Sequence, residues 1–264
     1  MDLLLVAVVL GLVEGITEFL PVSSTGHLIL AGHLLGFEGP RAATFEIFIQ
    51  IGAILAVVVL ERRRFRGLLR PSMEAGFSGL RGCALLAVTT APALAAGYFL
   101  HGTIKERLFS PLPVVSALFA GGIVILLVEA FRPEARIRDI DSLGWGQAVF
   151  IGLCQCLALW PGVSRSGATI VGGLLCGLDR RAAVTYSFLA AVPTMIAATA
   201  YDLFESRGAL HAGDAVPFAL GCAVSFAAAW AAVRSFVALL GRTTLRPFAW
   251  YRLVAAPILY LLLR

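Results

Sequence analysis

The sequence predicts an all-α integral membrane protein built from two inverted-topology repeats, with about six transmembrane helices plus two re-entrant helical hairpins. Three observations carry that prediction. The 264 residues are 59% hydrophobic and 14% charged, where soluble domains carry about 25% charge. The apolar residues fall in long Leu-, Ala-, Val- and Gly-rich runs, not in the alternating pattern of an outer-membrane barrel. Finally, two apolar stretches interrupted by polar residues align without a gap. GLVEGITEFLPVSSTGH (11–27) lies over GLCQCLALWPGVSRSGA (152–168), matching Gly11, Leu12, Val22, Ser23 and Gly26 to Gly152, Leu153, Val163, Ser164 and Gly167. The chain reads as a single membrane domain, with residues 1–131 as the first repeat and 132–264 as the second.

The first interrupted stretch, residues 1–36, contains EGITEFLPVSSTGH. Glu14 and Glu18 are four apart and share one face of a helix. Pro21 stops that helix. Ser23, Ser24, Thr25 and Gly26 then turn the chain back with free backbone N–H groups, a natural anion cradle, and His27 follows. Carboxylates are costly in apolar surroundings, so ionisable residues at membrane depth are functional candidates. The opening MDLLL lacks a basic leader region, and no cleaved signal peptide is expected.

A short polar connection (37–44) leads into an apolar run from Phe45 to Leu60. The loop 61–82 holds Arg62, Arg63, Arg64, Arg66, Arg70 and Arg81. Apolar runs follow at 83–100 and 114–131, separated by HGTIKERLFSPLP. After a charged connection (132–143), the second interrupted stretch covers 145–177, and further runs lie at 186–201, 216–233 and 247–263. Loops 61–82, 132–143, 178–185 and 234–246 together hold fourteen arginines, against Arg41, Lys105, Arg107 and Arg207 in the remaining loops. By the positive-inside rule the arginine-rich loops are cytoplasmic. That assignment works only if each interrupted stretch returns to the side it came from. The first then dips in from outside and the second from the cytoplasm, so the halves are inverted copies with both termini outside.

The net charge of +5 follows from these loop arginines and signals no nucleic acid. Cys83, Cys154, Cys156, Cys176 and Cys222 fall in apolar segments without metal-ligand spacing and read as small hydrophobes. His33 reads as structural, while His101 and His211 fall in loops and read as solvated. Trp145, Trp160, Trp250 and Tyr251 suit interfacial anchoring or packing. Glu46 and Gln50, and Tyr186 and Ser187 at the matching place in the second half, either support a site or satisfy neighbours.

The second motif brings Arg165 between Ser164 and Ser166, with Thr169 near. A guanidinium at membrane depth wants an anion, and its fork of donors matches a pair of phosphate oxygens; a structural ion pair with Glu14 or Glu18 is the alternative. An anion site beside Glu14 and Glu18 suggests phosphate plus a divalent cation, Mg²⁺ or Ca²⁺, between carboxylates and diphosphate oxygens. Ser24 as a nucleophile activated by His27, or direct attack by water, would serve hydrolysis. A transporter or flippase for an anionic lipid would use the same inverted pocket for ion coupling. The residues alone leave both open.

EGITEFLPVSSTGH together with PGVSRSGAT resembles the bacterial undecaprenyl-diphosphatase family, also called the bacitracin-resistance protein family. The resemblance runs end to end, through FEIFIQIGAILAVVV, CQCLALWPGVSRSGATI and AWYRLVAAPILY. It implies hydrolysis of undecaprenyl diphosphate to the monophosphate and inorganic phosphate, recycling the lipid carrier of cell-wall synthesis. It also implies a divalent cation and a site facing the outside of the bacterial cytoplasmic (inner) membrane. Glu14 and Glu18 become the acidic, metal-holding motif and, together with Ser24, His27 and Arg165, the catalytic set. Ser23, Thr25, Gly26, Ser164, Ser166 and Thr169 join Arg165 in binding the substrate. The implied partners are a polyprenyl diphosphate and membrane lipids; a homodimer is compatible with this reading.

Overall fold

The computed structural model describes residues 2–70, 76–108, 110–205, 212–240 and 243–263. Arg207, His211 and Arg242, and residues 71–75 of the basic loop, lie outside the described residues. The first interrupted stretch is a helical hairpin. Helix α1 (Leu3–Thr17) starts at Asp2, whose carboxylate accepts the Leu4 N–H at 3.0 Å. The chain leaves the helix ahead of Pro21, which has no N–H to continue it. Ser23 stands at φ +69°, and α2 (Ser24–Leu34) begins immediately after it. The second stretch repeats the plan. Helix α7 (Trp145–Cys156) runs into a 3-10 turn (Leu157–Leu159), Gly162 takes φ +99°, Ser164 takes φ +74°, and α8 (Arg165–Leu175) follows. Among the described residues, Ser23 and Ser164 are the non-glycine residues with positive φ. They occupy matching places in the two motifs, and backbone strain of this kind concentrates at functional turns.

Among the described residues, five helices are long and apolar enough to cross a membrane. They are α3 (Pro40–Leu60), α5 (Gly79–Leu108), α6 (Pro111–Phe131), α9 (Arg180–Glu205) and α10 (Ala215–Leu240). The sixth expected span is α11 (Arg246–Leu262), which is shorter at 17 residues. The short helix α4 (Arg62–Leu68) lies within the basic loop. Among the described residues there is no β-strand, and an isolated bridge joins Ile137 to Leu178. Helix α5 runs on through residues 101–108, where polar composition suggested a loop. Lys, Glu and Arg are good helix formers, and no proline follows Pro92 until Pro111.

Helices α1 and α3 both press on α10 through glycines. A Cβ on Gly11 would stand 2.6 Å from the Gly221 carbonyl oxygen. One on Gly15 would stand 2.4 Å from that of Ser225, and one on Gly52 2.2 Å from that of Cys222. Such small-residue seams let helix backbones approach within a membrane. At the corresponding seam, α7 of the second half meets α5 of the first at Gly152, whose Cβ would lie 2.7 Å from the Thr89 carbonyl oxygen. Helix α3 also packs on α9, and α6 on α11. Exchanging α1 with α7, α3 with α9, α5 with α10 and α6 with α11 maps these pairings onto one another. The largest core cluster gathers on α9, with Phe19 edge-on to Phe188 at 5.4 Å. Large apolar side chains such as Ile16, Leu55, Phe119, Leu127 and Val254 point outward, an apolar surface suited to lipid.

At the arginine-rich end, Arg64 donates to Asp141 at 2.8 Å and Asp139 at 3.1 Å. Asp141 also accepts the Phe77 N–H at 2.9 Å. Partial burial raises the Asp141 pKa. The Phe77 and Arg64 hydrogen bonds and the charges of Arg64 and Arg81 outweigh burial and hold it below the ordinary value of 3.8. Glu129, at the end of α6, accepts from the Arg180 guanidinium at 2.9 and 2.5 Å and from the Leu245 N–H at 2.7 Å, joining the starts of α9 and α11. The five cysteines are free.

Candidate functional site

The two turns meet, and what joins them is a chain of charged hydrogen bonds. Glu18 follows α1 directly; its Oε1 accepts from Arg165 Nη2 at 2.9 Å, and its Oε2 accepts from the Ser24 hydroxyl. The first residue of α2 and the first of α8 therefore hold opposite oxygens of one carboxylate. Arg165 Nη2 also contacts the Met195 sulfur at 3.0 Å, and its guanidinium carbon sits 5.0 Å from the centre of the Phe19 ring. The alternative reading, an ion pair of Arg165 with Glu14 or Glu18, is met at Glu18, but the pair uses only one corner of the guanidinium. Nε and Nη1 of Arg165 are buried and have no hydrogen-bond partner. Buried donors are nearly always paired, and charged ones especially so.

A cavity of about 120 Å³ opens at this point, lined by Glu18, Ser23, Ser24, Thr25, Gln50, Ala158, Pro161, Gly162, Ser164 and Arg165. The starts of α2 and α8 thus converge on one space. No acceptor among the described residues meets the backbone N–H of Ser24, Ser164 or Arg165. Free amides at two helix N-termini, with two free guanidinium nitrogens, make a site for an anion with several oxygens. Of the two polar residues on α3 singled out in the sequence, Gln50 reaches the cavity lining and Glu46 does not.

Glu14 lies one helical turn before Glu18, fully buried, and neither carboxylate oxygen has a partner. Among the described residues no group of three or more His, Cys, Asp or Glu side chains could enclose a metal ion. A cation enclosed by protein alone does not fit these residues. A cation shared between protein and phosphate oxygens, as Mg²⁺ is commonly held by one or two carboxylates plus substrate phosphates, finds Glu18 in the cavity lining, with Glu14 buried behind it and outside that lining. Glu14 offers two free oxygens, and the Glu18 oxygens keep lone pairs beyond those that Arg165 and Ser24 use.

Other expected residues stand elsewhere. His27 does not meet Ser24: its Nδ1 is 2.7 Å from the Ser23 carbonyl oxygen, and its Nε2 is 2.5 Å from the Tyr251 hydroxyl. The two rings stack at 5.6 Å. A carbonyl only accepts, so Nδ1 carries the proton and Nε2 faces Tyr251. Ser24 is instead held by Glu18. Ser166 and Thr169 are buried away from the cavity lining. Ser166 donates to the Leu20 carbonyl oxygen at 2.8 Å, fastening one turn to the other. Thr169 bonds Ser187 on α9 at 2.6 Å and the Arg165 carbonyl oxygen at 2.9 Å. Ser164 caps α8 by accepting the Gly167 N–H at 3.1 Å. Gly26 is buried, with Val114 at ordinary contact distance from an added Cβ, 3.8 Å. Gln155, the counterpart of Glu14, donates to the Thr89 carbonyl oxygen at 3.3 Å, and Tyr186 bonds the Thr89 hydroxyl at 2.6 Å. His33 pairs with Glu38 at 2.8 Å, and His101 rests edge-on to Tyr201.

Two residues of α11 hold parts of the site in ways the sequence does not mark. One is Tyr251. The other is Arg252, 0% exposed, whose donors all go to backbone carbonyls. Nε bonds Leu118 at 3.0 Å; Nη1 bonds Pro21 at 3.3 Å and Val163 at 3.0 Å; Nη2 bonds Ala117 at 3.3 Å and Gly162 at 2.9 Å. One guanidinium thus joins both turns to α6. The charged WYR string near the start of an apolar helix gave no sign of this, because backbone carbonyls leave no sequence signature.

The model of the family "Bacitracin resistance protein BacA" matches residues 7–258. An undecaprenyl-diphosphatase of Nitratidesulfovibrio vulgaris (strain DP4) is 57% identical over 257 residues, 97% of each chain. That of Oleidesulfovibrio alaskensis is 55% identical over 259 residues, 98% of each chain. That of Solidesulfovibrio magneticus is 51% identical over 256 residues, 97% of each chain.

Proposed function

Because the chain belongs to the bacitracin resistance protein BacA family, we propose that it hydrolyses undecaprenyl diphosphate to undecaprenyl phosphate and inorganic phosphate. The protein is a multi-pass membrane hydrolase, and the reaction returns a lipid carrier to cell-wall synthesis. The observation that most supports siting this activity at the cavity where both turns meet is the pair of free, buried guanidinium nitrogens on Arg165.

In this reading the terminal phosphate sits against Arg165 Nε and Nη1 and the amides of Ser24, Ser164 and Arg165. These donors are in place before charge develops, which is how phosphoryl transfer is accelerated. Ser24 attacks the terminal phosphorus, and its proton passes to Glu18 Oε2, which its hydroxyl already contacts. The bond from phosphorus to the bridging oxygen breaks, and undecaprenyl phosphate leaves with that oxygen. The leaving undecaprenyl phosphate takes up the proton held by Glu18; water then attacks the phosphorus on Ser24, Glu18 accepting a proton from the water and returning it to Ser24 Oγ as inorganic phosphate leaves. Arg165 Nη2 holds Glu18 in place throughout. Glu14 and Glu18 would hold a divalent cation, which would supply neutralisation of the diphosphate charge. His27 holds the Ser23 carbonyl, and so the strained turn that presents Ser24.

The fourteen-to-four bias of basic residues and the exchangeable helix pairings support an inverted-repeat arrangement in the bacterial inner membrane, with the site facing outward. Under that topology a cysteine placed at Arg66 stays unlabelled by impermeant thiol reagents in intact cells, and labelling there overturns the orientation. The activity is tested by phosphate release from undecaprenyl diphosphate in detergent, with Mg²⁺ and then with EDTA, beside Ser24→Ala. Release lost with chelator and with Ser24→Ala is expected. Well-folded protein that releases no phosphate under any condition refutes the hydrolase reading.

A further inference from the structure

We propose that Arg252 is a positioning residue for this reaction, one that aims the Ser164 N–H into the phosphate cavity. The inference rests on the reading that this cavity binds the diphosphate. A trans peptide unit carries its C=O and N–H on opposite sides. The Val163 carbonyl points at Arg252 Nη1, 3.0 Å away, so the Ser164 N–H across the same peptide bond points the other way. Ser164 lines the cavity and Arg252 does not, and that N–H meets no acceptor among the described residues. Arg252 also grips Gly162 at 2.9 Å, which fixes the peptide before it, and Pro21 at 3.3 Å, which sets the facing turn. The Ser164 backbone at φ +74° is not a conformation serine holds unaided, and the two grips just before it constrain the turn from behind. All five hydrogen bonds of Arg252 end on carbonyls, so its charge stands behind the turns without a carboxylate partner in that set.

Gly121 gives a way to disturb this arrangement without touching the turns. A Cβ there would lie 2.0 Å from Arg252 Nη2, so alanine must displace the guanidinium while leaving its charge. The experiment measures kcat and KM for phosphate release from undecaprenyl diphosphate by wild type, Arg252→Lys, Gly121→Ala and Arg165→Lys, each checked for monodispersity and thermal midpoint. An aimed donor acts most strongly on the transition state, so folded Arg252→Lys and Gly121→Ala should lose about a hundredfold in kcat, with KM changed far less. Kcat within about threefold of wild type in folded Arg252→Lys, or in folded Gly121→Ala if the lysine variant does not fold, overturns the proposal. A loss confined to thermal midpoint, with the specific activity of folded protein intact, also overturns it and leaves Arg252 a structural pin. If Arg165→Lys is fully active as well, the cavity reading itself has failed, a result separable from failure of the Arg252 proposal alone.

Discussion

Replacing Arg165 by lysine removes the two free guanidinium nitrogens while keeping the positive charge. A lysine head can replace Nη2 at Glu18, so the link between the two turns should persist and the protein should fold. It cannot also present two further donors in a planar fork. Losing two hydrogen bonds to charged oxygens at about 1.5–3 kcal/mol each removes about 3–6 kcal/mol of substrate and transition-state stabilisation. At about 1.36 kcal/mol per factor of ten, that is roughly two to four orders of magnitude in kcat/KM. The assay is initial-rate phosphate release at substrate well below KM, on protein whose thermal midpoint matches wild type. A folded Arg165→Lys enzyme within about fivefold of wild type, near 1 kcal/mol by the same conversion, would refute the reasoning. It would mean that Nε and Nη1 never meet substrate.

Glu14→Gln should raise the Mg²⁺ concentration for half-maximal activity by about tenfold or more, since a hard cation loses a charged ligand; an unchanged titration removes Glu14 from the cation site. Gly15→Ala pushes a methyl group toward the Ser225 carbonyl and should destabilise the α1–α10 contact by about 1–3 kcal/mol, read as a lower thermal midpoint in detergent. The Asp141 pKa is depressed in the folded protein, so its contribution to stability is present above about pH 4 and is lost as pH falls through the folded pKa. Wild type should therefore exceed Asp141→Asn in thermal midpoint at neutral pH and converge with it in acid; a gap constant with pH would show that the carboxylate charge is not what the loops use.

Much of this arrangement was legible in the chain because membrane-embedded polar residues stand out against an apolar background. Pro21 and Gly162 mark where helices stop, and the serine-rich runs after them mark turns. Glu18, Ser24 and Arg165 were singled out individually, and they meet. Their pairing was harder to read. Spacing of three suggested that His27 serves Ser24, but the Ser24 hydroxyl turns back to a charged acceptor on the other arm of the hairpin, the stronger bond. Ser166 and Thr169 look equivalent to Arg165 in a motif, yet successive helix positions are rotated by about 100°, which points their hydroxyls at neighbouring backbone and at α9. Arg252 was illegible for a different reason. An arginine among aromatic residues near a helix start reads as a side chain reaching toward lipid headgroups, and nothing in the sequence marks which carbonyls would receive it.

The same arginine limits how the protein can move. Arg252 belongs to the second half of the chain, whereas Leu118, Ala117 and Pro21, three of its five acceptors, belong to the first. A rocking motion of one half against the other, as in many transporters built from repeats, would shear those three bonds of a guanidinium that is 0% exposed. Each unmet bond of a charged donor there costs on the order of 1–3 kcal/mol or more. The two halves are therefore held together beneath the site by the same side chain that braces both turns.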